Sequence, residues 1–194
     1  MKITYHGHSC FSIESNGYSV VTDPYAGVDG IEMPKLSANA VYCSHEHFDH
    51  NYREGVELID GVRSSIFVSL MHVFHDDQEG ALRGLNDIMI FSAEDKKVVH
   101  MGDIGHDIPD ELVAALGHVD VLMIPVGGFF TIDAYQAVSF VRRIDPDIII
   151  PMHYRDGKIG FDKIATVEDF ISLLTVEEQK KLRLVKGYGE SIEL

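Results

Sequence analysis

Apolar and polar residues alternate with a period of two through the first 23 residues. Lys2 to His6, Cys10 to Glu14 and Tyr18 to Asp23 read as strands, and Asn16-Gly17 supplies a hairpin turn. Pro24, Gly27, Gly30 and Pro34 then break any period over residues 24 to 39, which form either a loop at the rim of a site or a plain surface connection. Asn39 to Cys43 is a short buried strand, and strand-like runs follow at Ser65 to Leu70, Ile88 to Ser92 and Lys97 to Met101. Pro109 to Leu116 reads as a helix with proline in its first turn. Asp133 caps a second helix that runs to Arg143, with Gln136 three residues on and an apolar stripe of Ala134, Ala137, Val138 and Val141. The continuous apolar runs Val119 to Pro125 and Ile148 to Met152 predict buried strands. A helix near Val167 to Leu174 and strands around Leu182 to Lys186 and Glu190 to Leu194 close the pattern. A β-rich opening followed by alternating strands and helices predicts an α/β (α+β) architecture of layered sheets flanked by helices.

The 194 residues suit a single domain spanning 1–194, large enough to bury roughly 70% of the unfolded surface. Sixteen basic against 31 acidic side chains give a formal charge of -15, which argues against a nucleic-acid groove or an anionic membrane surface. Cys10 and Cys43 each sit in an apolar run and read as buried free thiols rather than a disulfide scaffold, as a reducing cytoplasm would allow. The opening Met1 to His6 has no secretory-signal pattern. The longest apolar stretch, Val119 to Phe130, contains Pro125 and two glycines and falls short of the ~20 residues of a membrane helix. The expectation is a soluble cytoplasmic protein acting on a small molecule, without nucleic-acid or membrane partners and with a homo-oligomer left open.

The candidate chemistry lies just after the strand that ends at Cys43. Ser44-His45-Glu46-His47-Phe48-Asp49-His50-Asn51 holds three imidazoles and a carboxylate within six positions, a donor mixture suited to divalent ions of borderline softness. In extended backbone, residues two apart project to the same side, so His45, His47 and Asp49 converge. A helix would separate them.

Two ions need further ligands from other strand ends, and three places qualify. In Met71 to Asp77 either His72 or His75 is available, His75 being the better placed at the loop edge, with Asp76 able to orient a histidine. Val98 to His106 is a strand that ends in Asp103 between glycines, where the carboxylate either bridges two ions or stabilises the turn. Ile148 to Tyr154 delivers His153 into the following loop.

These pieces together resemble the metallo-β-lactamase superfamily, whose His-x-His-x-Asp-His signature matches His45 to His50 and whose later single-ligand motifs match His75, Asp103 and His153 in order. The chain is most similar to the compact branch related to ascorbate-phosphate lactonases and metal-dependent hydrolases. The segments that carry this likeness include Gly7-His8-Ser9-Cys10-Phe11, Thr22-Asp23-Pro24, Phe74-His75-Asp76, Arg83-Gly84-Leu85-Asn86 and Ile124-Pro125-Val126-Gly127-Gly128. The resemblance implies a four-layer αβ/βα sandwich with two divalent metal ions at one edge, zinc first, manganese or iron as alternatives. It implies His45, His47 and His75 on one ion, Asp49, His50 and His153 on the other, and Asp103 shared. No segment corresponds to the extra substrate-covering parts of the larger lactonases, so their substrate does not carry over.

The reaction expected from this resemblance is hydrolysis of a small anionic ester or lactone by water activated between the ions. Asp49 would bind and orient, and His8 would be a substrate contact, a proton donor or a structural histidine. His100 and His106, on either side of Asp103, belong behind the ligands. Arg83, Arg155 and Lys158 would hold a substrate carboxylate or phosphate, or are solvated surface charges. The alternatives are phosphodiesterase or nuclease chemistry on the same metals, and a non-hydrolytic di-iron or metal-binding protein.

Overall fold

The computed structural model describes residues 1–185 and 189–194. Its elements in chain order are β1 (Lys2–Gly7), β2 (Cys10–Ser15), β3 (Tyr18–Thr22), β4 (Leu36–Ala38), β5 (Ala40–Tyr42), a 3₁₀ turn (Arg53–Gly55), β6 (Val56–Leu58), β7 (Phe67–Phe74), β8 (Leu85–Ala93) and β9 (Lys96–His100). There follow α1 (Asp110–Leu116), β10 (Val121–Pro125), α2 (Ala134–Ile144), β11 (Ile148–Met152), α3 (Val167–Leu173), α4 (Val176–Lys181) and β12 (Ser191–Glu193).

Two five-stranded sheets lie face to face, ordered β12-β1-β2-β3-β5 and β11-β10-β9-β8-β7, with β4 and β6 forming a small separate pair. The period-two alternation seen in the sequence sorts side chains between layers. In β2 and β3, Phe11, Ile13 and Val20 point into the space between the sheets, while Cys10 and Val21 face outward under Tyr25, Val28 and Ala38. In the second sheet Phe91, Val98, Val121, Met123 and Ile150 meet them from the other side. The strands β9, β10 and β11 are buried on both faces, which is why they read as continuous apolar runs. Their other face, with Val99, Leu122, Ile124 and Ile149, packs against α1, α2 and α3 through Leu116, Phe140, Val141 and Phe170. The fold is the sandwich that the resemblance implies. The layer outside the first sheet is built from the segment around Tyr25 to Val56 and contains no α-helix.

Local chemistry fixes the turns. Asn16 and Gly17 (φ 48° and 79°) close β2 onto β3, and Glu94 and Asp95 (φ 54° and 57°) close β8 onto β9. Asp133 accepts from the Gln136 amide while the Gln136 side chain bonds back to the Asp133 N–H, so α2 starts on the capping box written in its sequence.

Three expectations need correction. The strand expected to end at Leu70 continues as β7 to Phe74, held by an unbroken register with β8 out to Phe74 opposite Leu85. The strand expected over Leu182 to Lys186 is reduced to one parallel bridge from Leu182 to Ile149, and Lys186 lies outside the described residues. Cys43 is only half-buried, although both thiols are free as expected. Among the described residues no helix is long and apolar enough to cross a membrane.

Candidate metal centre

Strand direction gathers the site. β1 and β3 run the same way, each being antiparallel to β2, and β5 is parallel to β3. Their C-terminal ends lead to His8, to Asp23 and to the segment His45 to His50. In the second sheet β9, β10 and β11 are mutually parallel, and β7 shares their direction through β8. Their ends lead to His75, Asp103 and His153. Backbone hydrogen bonds sew the two edges together, from the Asp87 amide to Ser44 O at 2.8 Å and from the His153 amide to His8 O at 3.2 Å.

The predicted ligands converge. One set of donor atoms, from His45, His47 and His75, lies within 4.8 Å of one another, as does a second set from His8, Asp49, His50 and His153. Asp103 sits between them: its Oδ2 is 3.1 Å from His153 Nε2, 3.3 Å from His50 Nε2 and 3.4 Å from His75 Nε2. All these side chains are buried except His47, which stands at the mouth. His72 is not among them; it pairs with Asp87 at 2.6 Å on the surface, whereas His75, just past the end of β7, lies with the other donors.

The surrounding hydrogen bonds set the tautomers. Ser44 donates its hydroxyl proton to Asp23 Oδ2 (2.7 Å), so it must accept from His45 Nδ1 (2.9 Å), leaving the His45 Nε2 lone pair bare. Asp23 also accepts from His50 Nδ1 at 2.9 Å, which turns Nε2 of that ring toward Asp103 and the cleft. Asp23, fully buried, thus orients one histidine of each set, an arrangement typical of carboxylates behind metal-bound imidazoles. Sequence reasoning passed over this role; its trace was a carboxylate at a strand end beside a proline. Asn86 fixes Asp103 by accepting from its amide at 2.7 Å.

Electrostatics follow the geometry. Burial pushes the Asp103 carboxyl up, but His153 and His50 beside it win and hold it well below the ordinary carboxylate range. Burial likewise opposes charge on His50, yet Asp103 and Asp23 raise it well above the ordinary imidazole range. His45, desolvated and beside His50, falls to about 3. His8 falls to about 4 through burial and the nearby His153, so it is neutral and donates Nε2–H to Asp49 Oδ2 at 3.2 Å.

The donor set can be tested for its fit to metal. Nε2 of His45, His50 and His153 and Oδ1 of Asp103 are buried without a hydrogen-bond partner. A buried polar atom left unsatisfied costs about 1–3 kcal/mol, and several aimed at one volume call for a ligand that accepts lone pairs. Divalent cations do so, and imidazole with carboxylate suits zinc, manganese or iron. The residues fit.

Other predicted residues divide. Arg83 lines a cleft of about 300 Å³ with His47, Phe48, Asp49, His75, Asp103, Phe130 and Phe161. Arg155 turns away to Ile164 O, and Lys158 is exposed beyond the cleft, so neither is brought to the ligands. Asp76 does not orient a histidine; its carboxylate accepts four backbone amides, from Gln78, Gly80, Leu82 and Arg83, and shapes the loop after His75. His100 and His106 stand behind the site, bonded to Ser9 O and to the Phe74 amide. Gly105 lies so close to His75 that a Cβ there would be 2.2 Å from the His75 carbonyl oxygen.

The β-lactamase superfamily domain matches residues 2–153. The chain belongs to the metallo-β-lactamase superfamily. A UPF0173 protein of Pyrococcus abyssi is 30% identical over 181 residues, covering 79% of this chain and 83% of its own length. A Geobacillus thermodenitrificans relative named UPF0173 metal-dependent hydrolase is 28% identical over the full length of both chains. Among solved structures, a Thermotoga maritima protein of the metallo-β-lactamase superfamily superposes with a TM-score of 0.71 at 31% identity, over 89% of this chain and 85% of that one. The metallo hydrolase Igni18 of Ignicoccus hospitalis shares the fold at a TM-score of 0.68 and 21% identity, over 98% and 97% of the two chains. By these likenesses this member of the metallo-β-lactamase superfamily is a metal-dependent hydrolase.

Proposed function

We propose that this metallo-β-lactamase-fold protein is a dinuclear hydrolase of small anionic esters or lactones. The observation that carries the reading is the convergence, on one cleft, of two separate donor sets with the Asp103 carboxylate between them. His45, His47 and His75 would hold one ion, Asp49, His50 and His153 the other, and Asp103 would serve both. Zinc is the first choice for this donor set. When bound, the ions supply Lewis acidity, making water nucleophilic near neutral pH and stabilising charge that develops on the attacked group.

The chain's own residues do the rest. Asp23 holds His45, through Ser44, and His50 with their Nε2 atoms facing the cleft. Asp49 orients the nucleophile, its own carboxylate held by the His8 N–H. His8 is buried beside His153, at 4.3 Å between ring centroids, which suits positioning and a proton at Nε2 near the reacting centre. Phe48, Phe130 and Phe161 exclude water from the substrate body, and Arg83 supplies positive charge at the rim.

The test is a metal count joined to a substrate panel. Purified protein supplemented with zinc, manganese or iron should carry two ions per chain and hydrolyse lactones or esters better than phosphodiesters or amides. A single ion per chain after supplementation overturns the dinuclear reading, and preference for phosphodiesters overturns the ester assignment.

A further inference from the structure

The loop after β7 is unusually well fixed for an exposed connection. The Asp76 carboxylate, 1% exposed, binds the backbone amides of Gln78, Gly80, Leu82 and Arg83 at 2.7 to 3.0 Å. Burial works against charge on Asp76, but the four amides outweigh it and keep the carboxyl below its ordinary range. The last of these amides belongs to Arg83, so the root of that side chain is pinned where the loop meets the metal cleft.

The tip is aimed as well. Arg83 Nη2 donates to Phe129 O at 3.1 Å, and its guanidinium stands 5.8 Å from the centroid of the Phe130 ring. Phe129 has φ +59°, a left-handed conformation a bulky residue adopts only when its surroundings force it, and this turn presents its carbonyl to Arg83. One carbonyl takes one of the five N–H groups of a guanidinium. No carboxylate pairs with Arg83 among the described residues, although the chain carries 31 acidic side chains. A preorganised, half-buried guanidinium with free donors, beside aromatic walls, is built to receive an anion.

We propose that Arg83 is the specificity-determining residue of the cleft and binds the carboxylate of a small substrate whose apolar body lies against Phe130 and Phe161. This rests on the hydrolase reading above. A single planar guanidinium matches a carboxylate, which it can clasp with two parallel hydrogen bonds. A phosphate dianion calls for more donors than one guanidinium, and among the residues that line the cleft Arg83 is the one Lys or Arg, Arg155 bonding Ile164 O instead and Lys163 standing over the Phe129 ring. The cleft of about 300 Å³ is at the small end of ligand pockets and sets the size of the molecule.

The test separates binding from turnover. Zinc-loaded protein is titrated calorimetrically with phenylacetate, phenyl phosphate and benzyl alcohol, for the native chain and for Arg83→Gln. Phenylacetate should bind tightest, and Arg83→Gln should weaken it by about 10- to 100-fold while leaving benzyl alcohol and the zinc content unchanged. Turnover of 4-nitrophenyl hemisuccinate should show the loss in KM more than in kcat, and a larger loss than 4-nitrophenyl acetate shows. Arg83→Glu should reverse the preference toward a cationic ester. Equal phenylacetate binding by native and Arg83→Gln protein overturns the proposal, since the ions alone then hold the anion. Arg83-dependent binding of phenyl phosphate above phenylacetate overturns the carboxylate assignment. If no ester is turned over but the calorimetric difference stands, the hydrolase reading fails and the Arg83 assignment does not.

Discussion

The donor set His45, His47 and His75 and the donor set Asp49, His50 and His153 share one edge of the sandwich but are built on different terms. The first is all imidazole, opens to solvent at His47, and contains in His45 a ring that burial keeps neutral, at about 3. The second is buried, contains a carboxylate, is backed by His8, and includes a His50 whose proton is held by Asp103 and Asp23. One set offers lone pairs at once, whereas the other must give up a proton. The two ions should therefore load by different routes, even though Asp23 supports a histidine in each set.

That contrast can be broken most severely at the residue both sets share. Asp103→Ala should cost roughly 10³-fold in activity and reduce bound metal from two ions to one or none, read by elemental analysis and steady-state rates. Normal turnover by this variant would sink the shared role. Asp23→Ala should come next, weakening metal affinity by about 10- to 100-fold at both sets, because it frees His45 and His50 together. His47→Ala should remove one ion while the buried set keeps the other, a difference visible in a competitive chelator titration. If His47→Ala and His153→Ala lose metal identically, the two sets are not independent.

Acidity sharpens the same comparison. A metal ion competes with the proton on His50, whose folded-state affinity for protons is raised, so falling pH should weaken the second set first. His45, lowered to about 3, gives no such competition in the mildly acidic range. Zinc titrations from pH 8 down to pH 5 should lose one equivalent before the other, and loading near neutrality should release a proton, measured by calorimetry in two buffers of different ionisation heat. Simultaneous loss of both equivalents would contradict this. The smallest effect is expected from Arg155→Ala, within about 0.5 kcal/mol in stability and without change in turnover.

Much of this site was legible because its ligands are marked locally. Each ends a run of apolar residues, and the period of two in β1 to β3 and the unbroken runs in β10 and β11 announce strands whose ends collect at one edge. The Asp133 and Gln136 cap is equally local. What stayed hidden depends on partners far along the chain. Asp23 gains its role only when β3 brings it beside Ser44 and His50. Asp76 was expected to serve a histidine, yet it serves amides of its own loop, an outcome set by backbone geometry rather than residue type. β4 and β6 are three residues each, too short for any period to declare them, and α4 lacks a buried apolar face. Arg155 and Lys158 follow His153 in sequence, but Arg155 bonds Ile164 O, and the chain turns at Gly157 before reaching the exposed Lys158.

The strand directions that gather His8 through His153 also set the order of events during synthesis and folding. Donors separated by up to 145 positions cannot meet in a partly made chain, and contacts of such long sequence separation form late. The half of the cleft that needs His153 cannot nucleate around an ion as a zinc finger does. The sandwich must close first, bringing buried imidazoles and carboxylates together before any cation arrives, so metal acts as a late lock on a finished scaffold. A chelator should then lower the melting temperature without erasing the cooperative transition, and the same cation that equips the cleft for chemistry would lengthen the life of the fold.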